Sequence, residues 1–338
     1  MWAYAARRVI IGILLLLTLS FVTFVLFFAG PADQAKLACG RQCTQEQIAD
    51  TERALGYDKP VHEQWAHFAK GIVAGRDFPA DKAAREAAPE IVTHCAAPCL
   101  GYSQNYATTV NSLLKEYAPI SISLALVAVV IWLFFGVMLG IIAAVTKGSI
   151  LDRGIVGLTL VVYAFPTFFI GIFFLKYVVV KWGIFDYPYY ISIADGGVWS
   201  WLSNLLLPAT TLALVFLASY VRMTRAFVLE SLGEDYIRTA KAKGLNSRTV
   251  LFKHGLRAAL TPLVTMTGID FGTLLGGAII TESVFAYPGL GLLTVQSADA
   301  WDLPTVVGIV LVAGAFVILM NIIVDIAYAF IDPRVRLG

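Results

Sequence analysis

Apolar residues run in blocks along this chain rather than alternating with polar ones. Val9–Ala29, Ala118–Val145, Gly154–Leu175, Trp199–Val221 and Leu303–Val324 contain no Asp, Glu, Lys or Arg, and Pro262–Val284 is interrupted only by Asp270 and Glu282. A helix crosses the hydrocarbon core in about 20 residues, so each block predicts one membrane-spanning helix. Pro208 is read as near the start of the fourth span, and the last apolar run continues to Phe330. No ten-residue alternating segments of the kind found in membrane barrels occur. The predicted fold is an all-α polytopic membrane protein with six transmembrane helices.

Basic residues in short loops mark the cytoplasmic side. Arg7 and Arg8 precede the first block, Lys147 and Arg153 lie between the second and third, and the connection 222–261 holds eight basic residues against three acidic ones. Arg334 and Arg336 follow the last block, whereas the fifth-to-sixth connection has Asp299 and Asp302 and no Lys or Arg. Cytoplasmic N- and C-termini satisfy this pattern. Lys176 and Lys181 lie against it, at the outer end of span three, where long side chains can snorkel. Arg7–Arg8 before an apolar run also resembles a secretory signal, but the run is longer than a typical signal core, and Phe28-Ala29-Gly30-Pro31 is a poor cleavage site. The first block therefore reads as an uncleaved helix.

Composition agrees: 58% hydrophobic, 14% charged, mean hydropathy +0.76, against about 45–50% and about 25% in soluble domains. Disordered tails, nucleic-acid modules and ordinary soluble enzymes are excluded, and a net charge of +2 is too small for a polyanion binder. The chain has no G-x-x-x-x-G-K-[ST] phosphate loop, no H-E-x-x-H and no G-x-S-x-G, so no catalytic residues or bound cofactor are expected.

Three regions follow: a first helix (1–29), an extracytoplasmic loop (30–117) and a five-helix core (118–338). The loop carries nine basic and eleven acidic residues. Thr44-Gln45-Glu46-Gln47 reads as a capping box opening a helix that stops at Leu55-Gly56. Val61, Trp65, Phe68 and Ile72 form a stripe at helical spacing, read as packing rather than a ligand site. Cys39 and Cys43, and Cys95 and Cys99, are the only cysteines. Their even number outside the membrane predicts disulfides, with three connectivities allowed. The greater entropy of closing a long loop favours bonds between the two pairs. A zinc site with His94 is the competing reading, and an oxidising compartment argues against it.

Glu234–Pro262 is the most informative segment. Tyr236, Ile237, Ala240 and Leu245 can form an apolar strip, Arg238, Lys241 and Lys243 point elsewhere, and Gly244 can end the helix. Such a helix can dock in a groove of a soluble partner; otherwise the loop is solvated and only sets topology. The run RTAKAKG followed by H-x-L-R-x-A-L-x-P resembles the coupling loop of ABC-importer permeases of the dipeptide/oligopeptide/nickel family. Further matches in order are Leu55-Gly56-Tyr57-Asp58-Lys59-Pro60, Lys147-Gly148-Ser149-x-x-Asp152-Arg153, Phe165-Pro166, Thr281-Glu282-Ser283-Val284-Phe285 to Gly291, and Asp332-Pro333-Arg334. Both cysteine pairs lie in or beside stretches the family lacks.

The resemblance implies a type I ABC-importer permease in a bacterial inner membrane, forming half of a peptide pathway. It implies a homologous second permease, one or two ATPase subunits holding ATP and Mg, an extracytoplasmic substrate-binding protein and membrane lipid as partners, and no nucleic acid. Glu234, Asp235, Tyr236, Ile237, Arg238, Thr239, Ala240, Lys241, Lys243 and Gly244 would couple to the ATPase. Gly268, Gly272 and Gly276, beside Gly277, have the spacing of close helix packing, within the chain or against the partner permease. Gly136 and Gly140 repeat that spacing on span two. Asp270, an intramembrane carboxylate, is a pathway candidate, with Glu282 nearer the span's end. The alternative, an ion-coupled secondary transporter or channel without ATPases, predicts repeats or several mid-membrane charges.

Overall fold

A computed structural model describes residues 2–28, 34–39, 43–274 and 278–331. The chain divides into two compact units, Trp2–Pro119 with Gly289–Phe316, and Ile120–Pro288 with Val317–Gly338.

The first unit begins with α1 (Trp2–Phe28), α2 (Gln34–Cys39) and α3 (Gln45–Leu55). The expected capping box opens α3: Thr44 Oγ1 accepts from the Gln47 amide and the Gln47 side chain accepts from the Thr44 amide. α4 (Val61–Ala74) carries the predicted stripe. Phe68 packs with Phe24, Leu303, Val307 and Leu311, and Val61, Trp65 and Ile72 close the same cluster. Trp65 Nε1 donates to Ser20 Oγ at 3.0 Å, which satisfies the polar end of a largely apolar ring.

After α4, β1 (Arg76–Phe78) pairs antiparallel with β2 (Thr93–Cys95), with α5 (Lys82–Ala87) between them, and β3 (Tyr102–Ser103) pairs with β4 (Thr108–Thr109). Contrary to the expected pairing, the disulfides close within each pair, Cys39–Cys43 and Cys95–Cys99. The Cα separations are 6.1 and 5.5 Å, inside the bridging range, so neither pair needs the other. Loop entropy ranks the alternatives, but local backbone geometry decides which sulfurs meet.

α6 (Val110–Val145) contributes to both units, as does α15 (Leu303–Ile331); α14 (Leu290–Asp299) belongs to the first. Val110, Leu113, Leu114, Leu290, Leu293 and Ile309 form a second core cluster there.

In the other unit, α7 (Ile150–Ala164) and α8 (Thr167–Phe173, continuing as a wider turn through Lys181) replace the continuous third span expected from the apolar block. They meet at 97°. Pro166 causes this break: it lacks an amide hydrogen and holds Phe165 extended, at φ −87° and ψ 134°. α9 (Ile193–Gly233) is kinked at Gly197 and passes through Pro208 in its interior. Gly136 and Gly140 of α6 face α9; a Cβ on Gly140 would lie 2.5 Å from Thr224 Cβ and 2.8 Å from the Val221 carbonyl.

The connection after α9 contains α10 (Asp235–Ala242), α11 (Ser247–Thr249) and a wider turn (Val250–Gly255) leading into α12 (Leu256–Leu274); α13 (Ile279–Phe285) follows. Within the fifth apolar block the described helices are α12, which ends at Leu274, and α13, which begins at Ile279. Four described helices are long and apolar enough to cross a membrane, and the bent α7–α8 pair makes a fifth. Large apolar side chains face outward along them, among them Leu14, Leu26, Val130, Leu158 and Ile323. Water penalises that surface, and a lipid or protein environment accepts it.

Candidate functional site

α9 ends at Gly233, Glu234 turns extended (φ −68°, ψ 152°), and α10 leaves in a new direction. An eight-residue helix is marginal in water and needs tertiary packing. Ile237, fully buried, and Ala240 supply it against Val250 and Leu232. Ser231 ties the base of the connection, its hydroxyl donating to the Gly255 carbonyl at 2.9 Å and lying 2.8 Å from the Tyr236 hydroxyl. The proposed strip therefore splits. Ile237 and Ala240 face the chain's own interior, whereas Tyr236 and Leu245 are exposed.

The end of α10 matches the sequence reading. Gly244 adopts φ +77°, its amide donates to the Lys241 carbonyl at 3.0 Å, and Leu245 donates to the Ala240 carbonyl at 3.3 Å. These paired bonds form a Schellman motif, which favours glycine at the left-handed position. A Cβ there would touch nothing within 4 Å, so backbone conformation alone selects glycine.

Glu234, Asp235, Arg238, Thr239, Lys241 and Lys243 are all exposed. Arg238 lies 3.3 Å from Asp235, but both side chains are solvated and such a pair contributes little. The outward face is polar and mainly basic, mounted on a short helix with two apolar anchors beneath. It can meet an acidic or polar surface without unfolding its own support.

One residue pair escaped sequence reasoning. Asp152, buried in the first turn of α7, receives Arg225 in a bidentate pair at 2.7 and 2.8 Å and also accepts from the Gly148 amide at 2.8 Å. Ser149 caps the same turn by accepting from the Asp152 amide. The pattern Ser-x-x-Asp signals the cap, whereas nothing local links Asp152 to a residue 73 positions away. This clamp holds the 147–153 connection to α9 two turns before that helix ends.

Among the intramembrane candidates, Asp270 is half-buried and accepts from the Tyr220 hydroxyl at 2.8 Å. Tyr220 in turn lies beside the fully buried Trp132. Glu282 is fully buried and accepts from Ser121 Oγ at 2.6 Å, while its main-chain carbonyl receives the Tyr287 amide. Gly268 and Gly272 pack on α15: a Cβ on Gly268 would fall 1.9 Å from Val324 Cγ2, and one on Gly272 3.2 Å from Val317 Cα. Gly276 and Gly277 lie outside the described residues. No described group of three or more His, Cys, Asp or Glu side chains could hold a metal.

Sequence reasoning also counted Asp302 only as a loop charge. It is buried and accepts from the hydroxyls of Ser103 and of Thr305, the latter at 2.8 Å. Burial pushes its carboxyl above the ordinary carboxylate range, and the two hydroxyls partly oppose that rise.

The model of the family described as "Binding-protein-dependent transport system inner membrane component" matches residues 136–337, and that of its N-terminal region matches residues 1–125. The dipeptide transport system permease protein of Escherichia coli is 32% identical over 362 aligned positions, covering 99% of each chain. A protein of Sinorhizobium fredii named a probable peptide ABC transporter permease is 30% identical over 336 positions, covering 99% of this chain and all of that one. A solved structure of the MetNI methionine ABC transporter, in an inward-facing conformation, resembles 65% of this chain and 96% of the matched one, with a TM-score of 0.51 at 18% identity. That likeness shows the fold, a type I ABC-importer permease.

Proposed function

The chain belongs to the family of binding-protein-dependent transport system inner membrane components, and from that membership we propose that it is the permease subunit of an ATP-driven importer of di- or oligopeptides. It forms half of the translocation pathway with a homologous permease, in a bacterial inner membrane with both termini cytoplasmic and six spans. Residues 30–117 face the extracytoplasmic binding protein, and ATP and Mg are bound by one or two ATPase subunits.

The observation that carries the coupling role is α10 itself, whose exposed basic face rests on the buried Ile237 and Ala240. ATP-driven movement of a subunit seated there reaches α9 and α12 because Ser231 and Leu232 join α10 to both. Asp270, half-exposed beside Tyr220, is the stronger pathway residue; the complete burial of Glu282 against Ser121 suits a structural role. The contacts of Gly268 and Gly272 with α15 support packing within the chain.

The test replaces Arg238, Lys241 and Lys243 together by Glu and measures ATPase co-purification, peptide uptake and melting temperature. Expected are loss of the ATPase subunits and at least a roughly tenfold fall in uptake, equivalent to about 1.4 kcal/mol of coupling. Melting should barely change, because surface substitutions away from packing contribute little. Normal uptake would reject the assignment of α10.

A further inference from the structure

Within the first unit lies a cavity of about 150 Å³ that belongs to neither the coupling helix nor the intramembrane candidates. Its walls include Tyr57, Phe68, Phe78, Tyr102 and Trp301, with Arg76 among them. Arg76 opens β1, and its guanidinium lies 5.3 Å from the Phe68 ring centroid and 5.1 Å from that of Phe78. Its Nε is buried and donates to no described atom. A buried donor left unmade is destabilising, more so when it carries charge. Burial lowers the Arg76 pKa to about 10, so the group is still cationic at neutral pH.

The surrounding backbone makes room for this side chain. Gly71 stands inside α4, where glycine is less favourable than alanine. A Cβ there would lie 2.9 Å from both Cδ and Nε of Arg76. Gly101 is required for other reasons, its φ of +131° and a Cβ that would lie 2.8 Å from Pro304 Cβ; Arg76 Nη2 is at ordinary contact distance from it. The guanidinium thus passes Gly71, with its Nε packed against that glycine, and the Arg76 side chain lines an aromatic chamber.

We propose that this cavity binds a small organic monocarboxylate, with the carboxylate on Arg76 and an apolar body between the aromatic rings. The guanidinium fork fits a planar carboxylate and supplies charge-assisted hydrogen bonds. Asp77 and Asp302 line the cavity together with Lys59 and His67; this mixed lining suits a single negative charge better than a dianion such as phosphate. The size is suitable, since an apolar cavity of about 150 Å³ takes up one benzene ring. Transported peptide and coupling to the ATPase do not enter this inference.

The test uses the full chain, purified with the subunits that accompany it, and isothermal titration with phenylacetate and with its neutral counterpart phenylacetamide. Phenylacetate should bind saturably at one site, and phenylacetamide at least roughly tenfold more weakly. Arg76→Gln, and separately Gly71→Ala, which displaces the guanidinium without removing its charge, should each weaken phenylacetate by a similar factor. Equal binding of acid and amide, equal binding of inorganic phosphate, or no uptake of phenylacetate by the natural protein would overturn the proposal. Because those comparisons use the unaltered chain, they decide the matter even if a variant does not fold.

Discussion

α10 and the Arg76 cavity place the same ingredients in opposite positions. In α10 the apolar side chains Ile237 and Ala240 turn inward, and Arg238, Lys241 and Lys243 face solvent. In the cavity Arg76 is buried among aromatic rings, and Gly71 makes way for it. A solvated cation is inexpensive and weakly held by its neighbours, which suits reversible contact with a large surface. A buried cation carries a desolvation cost, and a structure retains it where a specific acceptor offsets that cost.

The largest expected effect comes from breaking the inward half of α10. Ile237→Asp places a carboxylate in a fully buried apolar site, and truncating such a side chain alone costs about 2–5 kcal/mol. The connection should unfold locally, seen as new protease cleavage between Gly233 and Gly255, with uptake lost. Intact resistance to protease would mean that α10 is held by something other than this contact.

The next effect concerns the disulfides of the first unit. Each bridge closes a loop of only a few residues, so removing one costs about 2 kcal/mol in the chain-entropy model. Cys95→Ser with Cys99→Ser should lower the melting temperature moderately. Non-reducing digestion should yield Cys39 bridged to Cys43 and Cys95 bridged to Cys99. A peptide joining the two pairs would contradict the structure.

The smallest effect tests buried charge directly. Asp302 has its pKa raised by burial, so the folded protein holds this proton at pH values where the unfolded chain has released it. Its contribution to stability is fully present below the ordinary value of 3.8 and is lost as pH rises through the raised folded value. Asp302→Asn should flatten that part of the profile of melting temperature against pH and raise stability slightly at neutral pH. An unchanged slope would place the titrating group elsewhere.

Features governed by neighbours in sequence were legible. The Thr44–Gln47 box, the Gly244 stop and the stripe from Val61 to Ile72 each depend on spacings of three to five residues, and each is found where expected. The third apolar block misled, because hydropathy records that a segment avoids water but not whether it runs straight. Pro166 was visible and was quoted as a family feature, yet its 97° consequence depends on how α8 packs after the break. The clamp between Asp152 and Arg225 and the burial of Arg76 left no local trace.

The sequence by itself determined a helical membrane protein, the positions of its apolar blocks and the polar helix set between two of them. These follow from the cost of exposing apolar surface and unpaired backbone groups, a cost each segment bears alone. Only the tertiary structure decided which charges are solvated and which are enclosed, because burial is a property of what packs around a residue. Arg238 and Arg76 are the same amino acid in the same chain; Ile237 beneath one and Phe68 and Phe78 around the other make one a contact and the other an interior charge.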